Sequence, residues 1–157
     1  MPSTLAVELK QSRPFASLEQ EAFLSLARTE AVLAHAFADA LKPHGITPTQ
    51  YNVLRILRGA GRAGLCRNEV TERLVAQVPD ATRLLARMEK LKLVERTRDA
   101  TDRRMVNTRI TRDGLAVLAK LDSPTRAMHH KQLGHLGPAK LRTLITLLAL
   151  ARLAPAP

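Results

Sequence analysis

The chain has 157 residues, 45% of them apolar, with 25 lysines and arginines against 14 aspartates and glutamates, a net charge of +11 and a pI near 11.0. That length suits one domain able to bury a real core, and the apolar fraction excludes disorder for most of it. The charge asks for an anionic partner, nucleic acid or an acidic membrane surface, while a single cysteine excludes an internal disulfide and a cysteine-built zinc site.

No apolar run reaches the length of a membrane span, and the first residues lack the basic, apolar, small order of a signal peptide. The expectation is a soluble cytoplasmic protein with no membrane partner. Residues 1 to about 15 show no clean period and read as an arm or a frayed turn. Ser17-x-x-Gln20 is a candidate capping box opening a long helix to about Leu41, with Ala22, Leu26, Leu33, Phe37 and Leu41 on roughly one face. Pro43 to Gly45 end it. Thr47-Pro48-Thr49-Gln50 combines an N-cap, a proline at the first helical position and a second capping box. The helix it opens carries Tyr51, Leu54 and Leu57 to Arg58.

Gly59-Ala60-Gly61-Arg62-Ala63-Gly64 matches G-x-G-x-x-G in form. A dinucleotide loop needs a strand before it and a helix after it, whereas a helix precedes this one, so it reads as a turn. Asn68 to about Ala76 forms a short helix with Val70 and Leu74 one turn apart. Pro79 opens a second, with Asp80 in its first turn and Leu84, Leu85, Met88 and Leu91 as its buried stripe.

Val94 to Arg98 alternates weakly; Val106, Thr108 and Ile110 alternate clearly with Asn107 and Arg109. Asp99-Ala100-Thr101-Asp102 supplies turn chemistry, so the two strands form a hairpin with Arg103 and Arg104 near its tip. Residues 67–112 hold 12 lysines and arginines against 7 acids, nearly half the excess charge in under a third of the length. Two short helices followed by a basic hairpin make a winged helix-turn-helix pattern.

Thr111 caps another helix with Leu115, Leu118 and Leu121 on one face, running to about Pro124 or, past a kink, to His130. Gly137-Pro138 start the last helix, where Leu141, Leu144, Ile145, Leu147, Leu148 and Leu150 nearly encircle the axis. A helix so apolar must be covered on most sides, and a two-fold dimer formed by both terminal segments is the economical cover.

Asp102-x-Arg104-x5-Ile110-Thr111-x-x-Gly114 resembles the wing signature of the MarR (multiple antibiotic resistance regulator) family. "VPDATRLLARMEKLKLVERTRDATDRR" is similar to that family's recognition helix and wing, and the order of elements from about Ser17 to Leu153 matches over nearly the whole chain. Ile110 stands where the family usually has leucine. The resemblance implies a mainly α fold with a small β-hairpin wing: one domain over 1–157, a DNA-binding lobe at about 46–112, and dimerisation helices at about 17–41 and 115–153. It also implies a homodimeric repressor released from double-stranded DNA by a small ligand, an oxidant or a metal.

In such a domain the second helix of the pair enters the major groove, with residues near its N-terminus at base edges. Here those are Asp80, Thr82, Arg83 and Arg87. Arg83 and Arg87 can fork onto guanine, and Thr82 can meet a thymine methyl or a phosphate. Pairing of Arg87 with Asp80 or Glu89 on a solvated face is the competing reading. The resemblance places Arg104 in the minor groove with Asp102 orienting it, and Arg103 as a substitute; Arg98 and Asn107 are candidate phosphate contacts. It places small ligands between the dimerisation helices and the DNA-binding lobe, in stretches that here contain His35, Asp39, Tyr51 and Arg55, each of which also reads as an ordinary interface residue. Five histidines show no spacing that compels a metal site, and Cys66 reads as inert and half-buried. No cofactor is implied. No nucleophile–base pair, carboxylate pair or phosphate loop emerges, so an enzyme is the poorest reading. A protein-docking winged helix and a non-specific architectural DNA binder remain the alternatives.

Overall fold

The computed structural model of the chain describes residues 4–98 and 106–153. The chain divides into two compact units, Met1–Asp39 and Ala40–Pro157. In the first, the segment expected to be an arm forms a short helix, α1 (Thr4–Glu8), with Leu5 and Ala6 buried. Glu8 meets Arg28 of α2 (Leu18–Leu41) at 3.6 Å. Ser17 Oγ accepts the Gln20 N–H at 3.2 Å, but the Gln20 side chain reaches back to the N–H of Ala16 at 2.7 Å, one residue earlier than a standard capping box. Much of the apolar surface of α2 faces outward: Phe23 is 69% and Leu18 81% exposed.

The second unit begins with the end of α2 and continues into α3 (Pro48–Ala60). Thr47 and Gln50 form the expected reciprocal capping box, at 3.2 and 2.9 Å. The helix runs two residues past Arg58, and the glycine-rich stretch becomes the end of α3, a single 3-10 turn (Gly61–Ala63) and a two-residue strand, β1 (Leu65–Cys66). β1 carries too short an alternation to be seen in sequence. It pairs antiparallel with β3 (Val106–Ile110), which also pairs with β2 (Val94–Arg98), in the order β1-β3-β2.

The helix pair is shorter than expected. α4 (Arg67–Arg73) starts one residue early and stops before Leu74, whose extended backbone ends it. α5 (Ala81–Lys90) is capped by Asp80, so Pro79 precedes the helix instead of opening it. The Val75 N–H in the intervening turn donates to Asn52 Oδ1 of α3 at 2.9 Å, which fixes the turn to the lobe. Leu85 and Met88 are buried, but Leu91 is 49% exposed: α5 ends at Lys90, Lys92 turns left-handed at φ 58, and Leu93 takes the core position.

α6 (Arg112–Leu133) runs unbroken through Pro124. Its start is tied to the α5–β2 turn by Thr111. The Thr111 hydroxyl accepts the Gly114 N–H at 3.1 Å and donates to the Lys92 carbonyl at 2.6 Å, while its own N–H donates to the Leu93 carbonyl. Leu118 and Leu121 join Leu54, Leu57 and Val53 in the core, whereas Leu115 stays 42% exposed. After a 3-10 turn (Gly134–Leu136), α7 (Gly137–Arg152) has no buried residue; Ile145, Leu147 and Leu150 are each more than half exposed. Among the described residues no helix is long and apolar enough to cross a membrane.

Candidate nucleic-acid interface

The N-cap and first two turns of α5 carry four of the residues expected to meet a polyanion. The Asp80 carboxylate accepts the Arg83 backbone N–H at 2.8 Å, satisfying one of the orphan donors at the helix start. Asp80 thereby sets where α5 begins. Arg83 and Arg87 follow one turn apart, both exposed. The carboxylates that might have neutralised Arg87 are engaged elsewhere: Asp80 caps the helix, and Glu89 meets Arg96 of β2 at 3.8 Å. Among the described residues, neither guanidinium has a partner.

Thr82 is exposed, and its Oγ1 accepts from Arg67 Nη1 at 3.4 Å. Arg67 is a residue that sequence reasoning missed. It sits at the first position of α4, where Asn68 Oδ1 accepts from its Nε at 3.2 Å and from its Nη2 at 3.0 Å. A guanidinium held on two sides loses little freedom on meeting a phosphate. The signal was present as Cys66-Arg67-Asn68-Glu69, a helix start in which the Glu69 carboxylate accepts the Cys66 N–H at 2.8 Å. That bond, and a second from the Cys66 side chain, hold the Glu69 carboxyl below the usual carboxylate range. Arg67, Asn68, Thr71 and Thr82 border a cleft of about 380 Å³ between the first turns of α4 and α5. Cys66 itself is half-buried.

At the wing, Arg98 is exposed at the end of β2 and Asn107 is half-buried on β3, opposite Thr97 and Cys66 in the register. Asp102, Arg103 and Arg104 lie outside the described residues. α5 thus leaves Thr82, Arg83 and Arg87 exposed, and Arg98 is exposed at the end of β2.

The four residues expected near a small ligand form two pairs. His35 Nε2 and Asp39 Oδ2 are 3.3 Å apart on the exposed side of α2. In the second unit Arg55 Nη1 donates to the Tyr51 hydroxyl at 3.1 Å, with its guanidinium 5.9 Å from the ring centre. That hydroxyl lies 3.3 Å from Thr125 Oγ1, also buried. One turn along, Arg58 grips Asp122 with both terminal nitrogens, at 2.8 and 3.0 Å. These bonds, with Coulomb help from Arg58, Arg55 and Arg126, hold the Asp122 carboxyl below its usual range.

The sequence model described as MarR family matches residues 44–105. Among solved structures, a MarR transcription factor from Planctomyces limnophilus is 38% identical, with 87% of this chain and 98% of that one covered and a TM-score of 0.67. A MarR family transcriptional regulator from Streptomyces coelicolor in complex with DNA is 18% identical, with 94% of each chain covered and a TM-score of 0.81. A Bordetella bronchiseptica protein whose DNA binding is regulated by 6-hydroxynicotinic acid is 22% identical over 84% of this chain and 98% of that one, with a TM-score of 0.74. No curated protein matches in sequence.

Proposed function

Because the chain belongs to the MarR family of transcription factors, we propose that it is a cytoplasmic repressor that binds a pseudo-palindromic DNA site as a homodimer and is released by a small-molecule effector. It is a DNA-binding regulator and not an enzyme. The observation that carries the sequence-specific reading is the pair Arg83 and Arg87, exposed one turn apart on α5 with the nearby carboxylates engaged elsewhere. Guanidiniums without a partner among the described residues, on a helix that would enter the major groove, suit guanine O6 and N7. Thr82 and Arg67 serve phosphates beside them, with Arg98 and Asn107 at the wing base and Asp102, Arg103 and Arg104 at its tip.

In this reading residues 46–112 bind DNA, while 17–41 and 115–153 make the dimer, which accounts for the exposed apolar side chains of α2 and α7. The Bordetella protein supports an effector; Tyr51, Arg55, His35 and Asp39 are the side chains proposed to respond to it. Selection of bound sequences from a random DNA pool tests the whole reading. The expected result is an inverted repeat with half-sites about one helical turn apart. Enrichment of no motif favours the architectural alternative, and failure to bind DNA favours a protein-docking module.

A further inference from the structure

A second cleft, about 420 Å³, opens at the foot of the wing sheet and plays no part in the reading above. Arg58 at the end of α3, Arg62 in the turn that follows and Arg109 on β3 contribute its positive charge. Glu95 is its one carboxylate, and Ile110 and Leu115 supply apolar surface.

Arg109 is the informative member. Its Nε is buried and has no hydrogen-bond partner among the described residues, a state it shares with Arg96 Nε on the neighbouring strand. A buried guanidinium donor without an acceptor is costly and rare, so each case calls for an explanation. Glu95 stands directly across the strand pair from Arg109, yet no ion pair joins them among the described residues. The aliphatic stem of Arg109 lies where a side chain at Gly64 would be: a Cβ there would come within 2.7 Å of Arg109 Cγ. Gly64 also has φ +72, so the glycine-rich stretch that imitates a nucleotide loop makes room for this arginine instead. Arg58 is already neutralised and oriented by Asp122. Arg62 and Arg109 against Glu95 then leave one uncompensated positive charge in the lining.

We propose that this cleft binds a small organic monoanion, a carboxylate on a compact aliphatic body, held by Arg109 and Arg62. The volume suits a ligand of that size. Glu95 disfavours phosphate dianions, and no aromatic ring lines the cleft to reward a flat ligand by stacking. The bound anion would join the end of α3 to β3, the strand that leads out of the wing. Its effect on DNA affinity rests on the regulatory reading above; the binding itself does not.

The test uses the full chain with cyclohexanecarboxylate and, as the neutral isostere, cyclohexanecarboxamide. The expected result is saturable binding of the acid alone, with amide resonances of Gly61, Gly64 and Glu95 shifting. Arg62→Gln, an exposed turn substitution, and Arg109→Gln should each weaken binding about tenfold or more, the scale of a lost charged hydrogen bond. Equal binding of the carboxamide, shifts centred on Tyr51 and Arg55, or full affinity in both folded variants would overturn the site. If the acid binds here while DNA affinity stays unchanged, the site stands and its regulatory consequence fails. If the acid weakens DNA binding equally in wild type and Arg109→Gln, the effector acts elsewhere and the regulatory consequence of this site fails, while the binding and resonance shifts above decide the site itself.

Discussion

Arg83 and Arg87 have the same charge and are both exposed, so salt and sequence dependence must separate their roles. An arginine that reads guanine should cost about 1–3 kcal/mol at the selected site when changed to alanine and should relax the preference at one position. One that touches only phosphate should weaken all sequences alike and reduce the slope of log K against log salt by about 0.9. Binding curves for Arg83→Ala, Arg87→Ala and Arg67→Ala on a selected and a mismatched site, at two salt concentrations, sort the three. We expect base discrimination to fall for Arg83→Ala and the salt slope alone to change for Arg67→Ala; unaltered binding in both Arg83→Ala and Arg87→Ala would remove α5 from the interface. Asp122 gives a different kind of prediction. Its folded pKa is depressed, so the native state binds its proton less readily than the unfolded chain does. The stabilisation is therefore present above the ordinary carboxylate pKa, about 3.9, and is lost as pH falls through the lower folded value. Arg58, whose pKa is raised by its hydrogen bonds to Asp122, stays charged throughout that window. Asp122→Asn should lower the thermal midpoint at pH 6 and flatten its decline below pH 4, with a small amplitude because the pair is partly solvated. A parallel acid limb in the variant would show that other carboxylates control it.

At the scale of elements, the starts of α3 and α6 were legible because caps are local chemistry. Thr47 with Gln50 and Thr111 with Gly114 act through bonds spanning three residues, and both appear where the sequence put them. Helix ends and the short strand were not, because they depend on distant partners. β1 exists only through Thr108 and Asn107 of β3, and Leu91 leaves the core because the turn at Lys92 brings Leu93 in. Arg67 was overlooked for the same reason: its tie to Thr82 spans the helix pair. The Ile110-Thr111-x-x-Gly114 pattern, read as part of a wing signature, has a structural cause as well. A Cβ on Gly114 would collide with the Leu93 carbonyl, the acceptor of the Thr111 N–H, and press Ile110 and Leu54. Alanine favours a helix over glycine by about 1 kcal/mol, but overpacking against fixed backbone costs about 1–3 kcal/mol. Gly114→Ala should therefore lower stability in a denaturant melt and loosen the joint between wing and α6; a more stable variant would mean that the carbonyl gives way freely. The wing tip has its own test. If Asp102 orients Arg104 in a minor groove, both Arg104→Ala and Asp102→Ala should weaken DNA binding, although simple charge counting predicts tighter binding for the latter. Tighter binding by Asp102→Ala with Arg104→Ala unchanged would sink the assignment.

For the whole molecule, the net charge of +11 and the uncovered apolar rows lead to one prediction about assembly. Charge alone would draw a monomer to any duplex, and such binding would be weak, salt-sensitive and indifferent to sequence. Specificity over a genome needs two recognition helices acting together, which a two-fold dimer provides with half-sites about 34–36 Å apart. The dimer is also what the apolar side chains call for. Phe23 and Val32 on α2, and Ile145 and Leu150 on α7, are each more than half exposed, and burying a large aliphatic or aromatic side chain is worth about 1.5–3 kcal/mol. In the proposed dimer a handful of such residues per protomer would work against the repulsion between two cationic chains, which at physiological salt is largely screened for exposed charges more than about 8 Å apart. Lower salt should loosen the dimer while tightening its hold on DNA, so the two equilibria should move in opposite directions. Ile145→Glu with Leu150→Glu leaves the winged-helix core intact, since neither side chain is buried. Sedimentation of this double variant should show a folded monomer at micromolar concentration. Footprinting should show it covering a single half-site, with affinity for the full site reduced to that of one half. A wild-type chain that already sediments as a stable monomer, or a double variant that still protects both half-sites, would rule out these helices as the source of the symmetry.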